Sequence, residues 1–190
     1  MTQWQNMVNI GRFSTKTMYL SLVQHLPKVM WKDLVCGNRA RPRTVFILWL
    51  ACNNRLATKD RLAKFGRIVD CECAFCSSGE SVEHLFFCCN YTKGIWEEVL
   101  KWLKVRHAPL GWKEEVTWLV KICKSKNCRA QIMKMAIAET IYEIWWDRNM
   151  IVHNRENRDR NISKKVIDNI VYRMWGYPKY RGLIAQMLMP

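Results

Sequence analysis

Residues 70–89 read DCECAFCSSGESVEHLFFCC. Cys73 and Cys76 are separated by two residues, His84 follows after a polar loop of seven residues, and a further cysteine, Cys88 or Cys89, comes four or five residues later. This spacing is typical of structural zinc sites, in which four ligands close a tetrahedral shell. A closed shell leaves no position for a substrate water, so the predicted zinc site is structural rather than catalytic.

Several alternatives remain open from these residues alone. The cysteines of this stretch could be buried small side chains or disulfide partners, because free cysteine is among the most buried residue types. If a continuous α-helix follows His84, Cys88 shares its face and Cys89 is rotated away, so helix geometry favours Cys88 as the fourth ligand. Cys71 could also substitute for Cys73.

Composition places the chain among folded proteins of a reducing compartment. It has 190 residues, of which 49% are hydrophobic and 12% aromatic. No apolar run approaches the length of a membrane span, and the first residues lack the pattern of a signal peptide. Nine cysteines, an odd number, fit metal-bound thiolates better than a secreted disulfide scaffold. We therefore expect an intracellular protein, nuclear or cytoplasmic, without a membrane partner.

The net charge of +15 is concentrated at the two ends of the sequence. Residues 1–70 hold twelve Lys or Arg against three Asp or Glu, an excess of +9, and residues 151–190 have an excess of +5. Residues 71–110, which contain the cysteine cluster, carry −1. An excess of this size favours a polyanionic partner, of which the phosphate backbone of nucleic acid is the commonest.

Helical periodicity and capping residues predict a mainly α fold with little or no β-structure. We expect one structural Cys3His zinc site to stabilise this fold. A helix over 44–52 is almost wholly apolar, which predicts burial on all sides. Thr58 and Ser163 are predicted helix caps. The predicted helices are 15–25, 29–35, 44–52, 59–65, 90–105, 114–124, 128–153 and 163–175, with 66–71 as the one candidate strand. The predicted division is a zinc-containing domain at 1–110, a helical extension at 111–176 and a loosely docked tail at 177–190.

Three blocks of sequence match one pattern: Phe46-x-x-Trp49 with Leu56-x-Thr58-x-x-x-Leu62-x-x-x-Gly66, then Cys73-x-x-Cys76 with His84-Leu85-Phe86-x-x-Cys89, then Ile95-Trp96. Together they resemble the zinc-binding domain that follows the reverse transcriptase of plant LINE-type (non-LTR) retrotransposons, here as a standalone chain without the polymerase. Phe13-Ser14-Thr15-Lys16 and Ile144-Trp145-x-x-Arg148-Asn149 extend the resemblance to about residues 12–155.

The resemblance implies a ligand set and a role. It assigns Cys73, Cys76, His84 and Cys89 as the zinc ligands, which requires His84 to lie at or before the start of the following helix. It also implies nucleic-acid contact, with DNA or RNA, beside a polymerase. Basic side chains next to the zinc loop could contact successive phosphates of a nucleic-acid backbone. The candidate residues are Arg39, Arg41, Arg43, Arg55, Lys59, Arg61, Lys64 and Arg67.

An enzyme is not expected, because a reverse transcriptase needs carboxylates that hold two metal ions and the chain contains no Asp-Asp pair. A ribonuclease H would need several acids on paired strands, whereas Asp147, Asp159 and Asp168 fall on or between predicted helices. No small-molecule substrate is expected. The alternative function is a protein-interaction adaptor, in which apolar helix faces bind a host protein and zinc is purely structural.

Overall fold

The computed structural model describes residues 29–67, 70–153 and 161–189, together with Thr15, Met18 and Tyr19. Helices dominate this part of the chain, and its β-structure is one isolated antiparallel bridge between Glu72 and Gly79. The predicted mainly α fold is confirmed. None of the helices described is long and apolar enough for a bilayer span. The helices are α1 (Lys32–Val35), α2 (Pro42–Cys52), α3 (Lys59–Ala63), a π-helix (His84–Cys88), α4 (Asn90–Trp102), α5 (Trp112–Cys123), α6 (Cys128–Val152), α7 (Ile162–Trp175) and α8 (Pro178–Leu188).

Helix α6 forms the centre of the core. Every residue from 132 to 141 is buried, as expected for a helix that other helices surround on all sides. Helices α2 and α7 pack most extensively on α6, and α4, α5 and α8 also contact it. One hydrophobic cluster extends from Leu34 to Met187, so the core is continuous through the boundaries that we predicted near residues 110 and 176.

Two buried carboxylates of α6 are neutralised by basic residues of its neighbours. Arg41, which precedes α2, forms ion pairs with both Glu139 and Glu143. Lys165 of α7 pairs with Glu143 at 2.7 Å. A buried carboxylate without a partner would be strongly destabilising. These ion pairs therefore fix the positions of α2 and α7 on α6.

Helix α2 is not buried on all sides, so that prediction was wrong. Thr44, Leu48 and Ala51 face the core, whereas Phe46 is 55% exposed and Trp49 is 38% exposed. The two aromatic rings stack on each other with centroids 5.7 Å apart. The reason is that α2 packs along one side of α6 and its other side faces solvent. An apolar sequence alone does not reveal which faces find a partner.

Several helix ends differ from the predicted bounds by a few residues, and local hydrogen bonds and backbone geometry explain two of them. The cap of α7 is Asn161, whose side chain accepts a hydrogen bond from the Lys164 amide at 3.1 Å, while Ser163 lies in the first turn. Helix α4 ends at Trp102, before the predicted Val105, because the backbone turns at Lys104 with φ of 56°.

The C-terminal segment forms helix α8 rather than a loosely docked tail. Tyr180, Ile184 and Met187 are buried and pack against the core, and α8 contacts both α6 and α7. Pro178 occupies the first turn, where its fixed φ suits helix initiation. The predicted helix 15–25 lies largely outside the described residues, as do residues 68 and 69 of the candidate strand. The described remainder of that segment contains no strand.

We predict that docking of α8 contributes to global stability. Ile184→Ala removes a fully buried side chain and should lower the free energy of unfolding by about 2–5 kcal/mol. Leu188→Ala, at a 52% exposed position of the same helix, should change it by at most about 0.5 kcal/mol. Chemical denaturation followed by circular dichroism measures both. Equal, small effects would show that α8 does not belong to the cooperative core.

Candidate metal centre and basic surface

The first two candidate ligands lie on a tight loop closed by the Glu72–Gly79 bridge. The Cys73 amide donates to the Ser78 carbonyl at 2.7 Å, which folds the loop back on itself. The Phe75 amide donates to the Cys73 sulfur at 3.4 Å. An amide directed at sulfur stabilises a thiolate. The Phe75 ring packs on Tyr91 of α4 with centroids 4.9 Å apart, so the loop is held against the helix that follows the site.

The other two candidate ligands flank a π-helical turn. The Cys89 amide donates to the His84 carbonyl five residues earlier, at 2.8 Å. A π-helical turn is wider than an α-helical turn, so residues five apart lie on the same side. Cys89 is 1% exposed and leads directly into α4. The residues just before the turn are α-helical, so His84 does not lie at or before a helix start as the resemblance required. The π-helical turn instead brings His84 and Cys89 to the same side.

The four side chains converge. Their ligand atoms all lie within 4.8 Å of one another, with Cys76 Sγ 3.1 Å from His84 Nε2 and 3.8 Å from Cys89 Sγ. Zinc–sulfur bonds of about 2.3 Å in a tetrahedral shell place the ligand atoms about 3.5–4 Å apart. Three thiols and one imidazole are a ligand set that zinc prefers. The residues therefore fit a zinc ion and could hold one with all four positions filled.

Metal binding at this site is coupled to the protonation of its ligands. Burial, together with the neighbouring Cys89 and Cys76, raises the pKa of Cys73 to about 12. The backbone hydrogen bond from Ser78 lowers the pKa of Cys76, and burial lowers the pKa of His84, which favours the neutral imidazole that binds metals. Crowded thiolates repel one another, and a divalent cation removes that repulsion. Metal binding here should therefore release protons.

The two competing cysteines are not part of the cluster. Cys88 is exposed, and its sulfur is not among the four ligand atoms that converge. Cys71 is exposed, and its carbonyl accepts a hydrogen bond from the Glu80 amide at 2.8 Å. The preference for Cys88 from α-helix geometry fails because the turn is not α-helical.

A buried ion pair that we did not predict ties the ligand loop to α6. Glu80 is 1% exposed, and its carboxylate accepts hydrogen bonds from Arg148 Nη2 at 2.6 Å and from Arg148 Nε at 3.1 Å. The Lys59 amide at the start of α3 donates to the same carboxylate at 2.8 Å. Thr58, the predicted cap, occupies the N-cap position but bonds to Asp60 instead. The only signal for this ion pair in the sequence was Arg148 itself, within the motif Ile144-Trp145-x-x-Arg148-Asn149. Its partner Glu80 lies 68 residues earlier in the chain.

The comparison with protein families agrees with this geometry. Residues 13–96 match the family model described as zinc-binding in reverse transcriptase. The matched segment contains all four candidate ligands, and it supports a reverse transcriptase zinc-binding domain in this part of the chain. The match covers a little under half of the chain and ends within α4. No curated protein and no solved structure gives a significant match.

The predicted basic residues divide into separate groups. Arg41 is directed inward, where Glu139 and Glu143 hold its guanidinium, so it is not available to a phosphate. Arg43 is exposed and its guanidinium lies 5.2 Å from the Tyr142 ring centroid. Arg39 is exposed on the side of α7 and α8.

The remaining five lie around α3, close to the ligand loop, and we call them the loop-side cluster. Arg61 donates to the Asn54 carbonyl at 3.3 Å, which places the turn before α3 beside the helix. Lys59 pairs with Asp70 at 2.5 Å on the loop. The loop-side cluster consists of Arg55, Lys59, Arg61, Lys64 and Arg67.

The two adjacent thiols provide a matched pair of variants. Cys89→Ala should lose one bound zinc per chain, because the buried ligand of the cluster is removed. Cys88→Ala should retain zinc with unchanged stoichiometry, since its thiol is exposed outside the cluster. Inductively coupled plasma mass spectrometry of purified protein checks both. The opposite result would assign Cys88 as the ligand.

Removing the buried arginine should destabilise the fold. Arg148→Ala leaves the Glu80 carboxylate buried without its partner, which should cost about 3–5 kcal/mol of unfolding free energy. Arg129→Ala, at an exposed position of the same helix, serves as the control and should change it by at most about 0.5 kcal/mol. Urea denaturation measures the two variants. A small loss in Arg148→Ala would mean that the ion pair does not anchor the loop.

Proposed function

We propose that this chain is a non-catalytic zinc-binding module that binds nucleic acid through basic residues. We further propose that it derives from the reverse transcriptase of a plant LINE-type retrotransposon. The observation that carries the proposal is the convergence of Cys73, Cys76, His84 and Cys89 inside the segment that matches the reverse transcriptase zinc-binding family.

A structural role for zinc follows from the closed ligand set and from the composition of the loop. Three thiolates and one imidazole fill a tetrahedral shell and leave no position for a substrate. Between Asp70 and Glu80 the loop offers few apolar side chains for a core of its own. In modules of this kind, metal binding contributes folding free energy directly.

A nucleic-acid partner is supported by the charge around α3. Lys64 and Arg67 follow α3, Arg55 precedes it, and all three are exposed. The Glu80 carboxylate, paired with Arg148, accepts a hydrogen bond from the Lys59 amide and so holds the start of α3 in place. The loop-side cluster therefore surrounds a helix whose position is fixed. Lysine and arginine side chains on such a surface contact phosphates, which gives affinity without sequence specificity.

A non-catalytic role is supported by the pairing of the acidic residues in α6. Glu139 and Glu143 lie four residues apart on that helix; Arg41 pairs with both of them and Lys165 pairs with Glu143. Carboxylates that catalyse phosphoryl transfer must instead be available to two metal ions.

The adaptor alternative is favoured by one feature, the exposed stacked pair of Phe46 and Trp49 on α2. Exposed aromatic side chains are enriched at protein interfaces. If the protein binds neither DNA nor RNA, and if Trp49→Ala abolishes binding to a host protein partner, the adaptor becomes the better assignment.

Removal of a thiolate tests the zinc role. Cys73→Ser should lose zinc and melt at a lower temperature, because the metal stabilises the loop. Cys36→Ser, at an exposed thiol outside the cluster, should retain zinc and the original melting temperature. Elemental analysis and thermal denaturation provide the two measurements. Protein purified without zinc, or zinc retained in Cys73→Ser, would contradict the assignment.

Charge reversal tests the partner. A triple variant with Arg55→Glu, Lys64→Glu and Arg67→Glu should lose nucleic-acid affinity while it retains zinc and helix content. On duplex DNA, log affinity should fall with log salt at a slope of about −3 to −4, since each phosphate contact contributes about 0.9. Fluorescence anisotropy measures the affinity.

The control has the same change in net charge at another place. Lys121→Glu, Lys124→Glu and Lys126→Glu alter exposed lysines at and beyond the end of α5. This variant should bind with at most a modest loss. Equal losses in the two triple variants would mean that net charge alone, rather than the loop-side cluster, determines binding.

A further inference from the structure

Two segments of the chain contain no acidic residue, and the fold brings them together. Residues 34–59 hold five Lys or Arg and residues 169–190 hold three, without a single Asp or Glu in either segment. Arg173 Nε donates a hydrogen bond to the Arg39 carbonyl, across 134 positions of sequence. The Arg39 guanidinium also lies 5.3 Å from the Tyr177 ring centroid. Arg39 therefore joins the basic residues of the C-terminal segment where α7 meets α8.

Exposed aromatic side chains surround this junction. Tyr172 is 87% exposed, Trp175 is 48% exposed and Tyr177 is 39% exposed. Ile170 and Met174 of α7 pack into the core, so Tyr172 and Trp175 project from a helix that is held in place, and Tyr177 lies in the turn that leads into α8. The three exposed rings border an open cleft of about 780 Å³.

Cationic groups lie beside these rings. Arg181 Nε donates to the Trp175 carbonyl at 3.0 Å, which holds its guanidinium next to that residue. Arg173 lines the cleft together with the aromatic rings. Among the described residues that line the cleft, Asp168 is the one carboxylate, and it would repel a phosphate from its end of the cleft. A bound phosphate backbone would therefore follow the arginines. We name this surface the α7–α8 corner, and it consists of Arg39, Tyr172, Arg173, Trp175, Tyr177 and Arg181.

We propose that the α7–α8 corner binds single-stranded nucleic acid, with unpaired bases stacked on Tyr172 and Trp175 and phosphates contacted by the arginines. This inference rests on the proposed nucleic-acid function and adds the class of ligand and a second surface. Sites for single strands combine a cationic groove with aromatic rings, because every base has a face that can stack. In a duplex, each base is already stacked and paired, so its face is not available to these rings.

The charge pattern distinguishes this partner from a protein. Arginine and aromatic residues are enriched in protein interfaces as well, so it is the unbalanced positive charge that favours an anionic partner. Here, guanidinium groups lie directly beside the exposed rings, and the two contributing segments carry only positive charge. An anionic ligand with flat apolar parts complements such a surface, and a single strand has both.

The test compares two labelled probes, an oligodeoxythymidine of about 15 nucleotides and a blunt DNA duplex of equal length, by fluorescence anisotropy on the zinc-loaded full chain. Tyr172→Ala should reduce affinity for the single strand about 5- to 150-fold, the range for loss of one stacked base. Its affinity for the duplex should change less than twofold. Tyr172→Phe retains the ring and should bind the single strand like the original chain.

Phe46→Ala is the matched control, because Phe46 is 55% exposed and lies on α2, outside both the loop-side cluster and the α7–α8 corner. It should leave affinity for the single strand unchanged. Trp175→Ala, like Tyr172→Ala, should lower the affinity for the single strand and leave the affinity for the duplex nearly unchanged. Since both residues are exposed, circular dichroism and zinc content should be unchanged in these variants.

The possible results separate the two proposals. If the chain binds both probes but neither Tyr172→Ala nor Trp175→Ala lowers its affinity for the single strand, the α7–α8 corner is not the binding site for single strands. The proposed nucleic-acid function would still stand. If the loss is equal for the single strand and the duplex, the corner contributes only charge and the stacking assignment is overturned. If neither probe binds, the nucleic-acid function and this inference fail together.

Discussion

The buried ion pair between Glu80 and Arg148 is the contact on which the arrangement of the candidate metal centre depends. The ligand loop carries few apolar residues, and its hydrophobic packing is limited to Cys73 and Phe75. A bidentate ion pair with the central helix adds to that attachment, and the same carboxylate accepts a hydrogen bond from the Lys59 amide at the start of α3. One buried acid thus sets the position of the loop, of α3 and of the basic residues around α3. The family match ends within α4, yet the partner that anchors its loop belongs to α6.

Intramolecular pairing separates the arginines that stabilise the fold from those that can contact a ligand. Arg41 compensates two buried glutamates of α6, so its charge is used within the protein. Arg39 lies only two residues away but contacts α7 and the Tyr177 ring at the surface. Two arginines of one short sequence run therefore have different roles. The same logic applies to the aromatic residues, since Trp96 is fully buried whereas Trp175 is not.

Much of the secondary structure could be predicted from periodicity, because most helices have one apolar side and clear ends. The exceptions share a physical cause. Helix α2 is apolar all round, and only its packing along one side of α6 leaves Phe46 and Trp49 exposed. Residues 178–188 have weak periodicity, and their helix is stabilised by burial of Tyr180 and Ile184 against α6 and α7. In both cases, contacts with distant residues decide the outcome, and local propensity does not contain them.

The sequence by itself determined the chemistry of the candidate site, because the residue types and spacing of Cys73, Cys76 and His84 already select a soft, borderline metal such as zinc. It also determined the excess of positive charge. The tertiary structure decided between Cys88, which α-helix geometry favoured, and Cys89, which the resemblance implied, because a π-helical hydrogen bond replaces the α-helical one at that turn. It likewise decided which basic residues share a surface, because residues as far apart as Arg39 and Arg173 become neighbours only when α7 packs on α6.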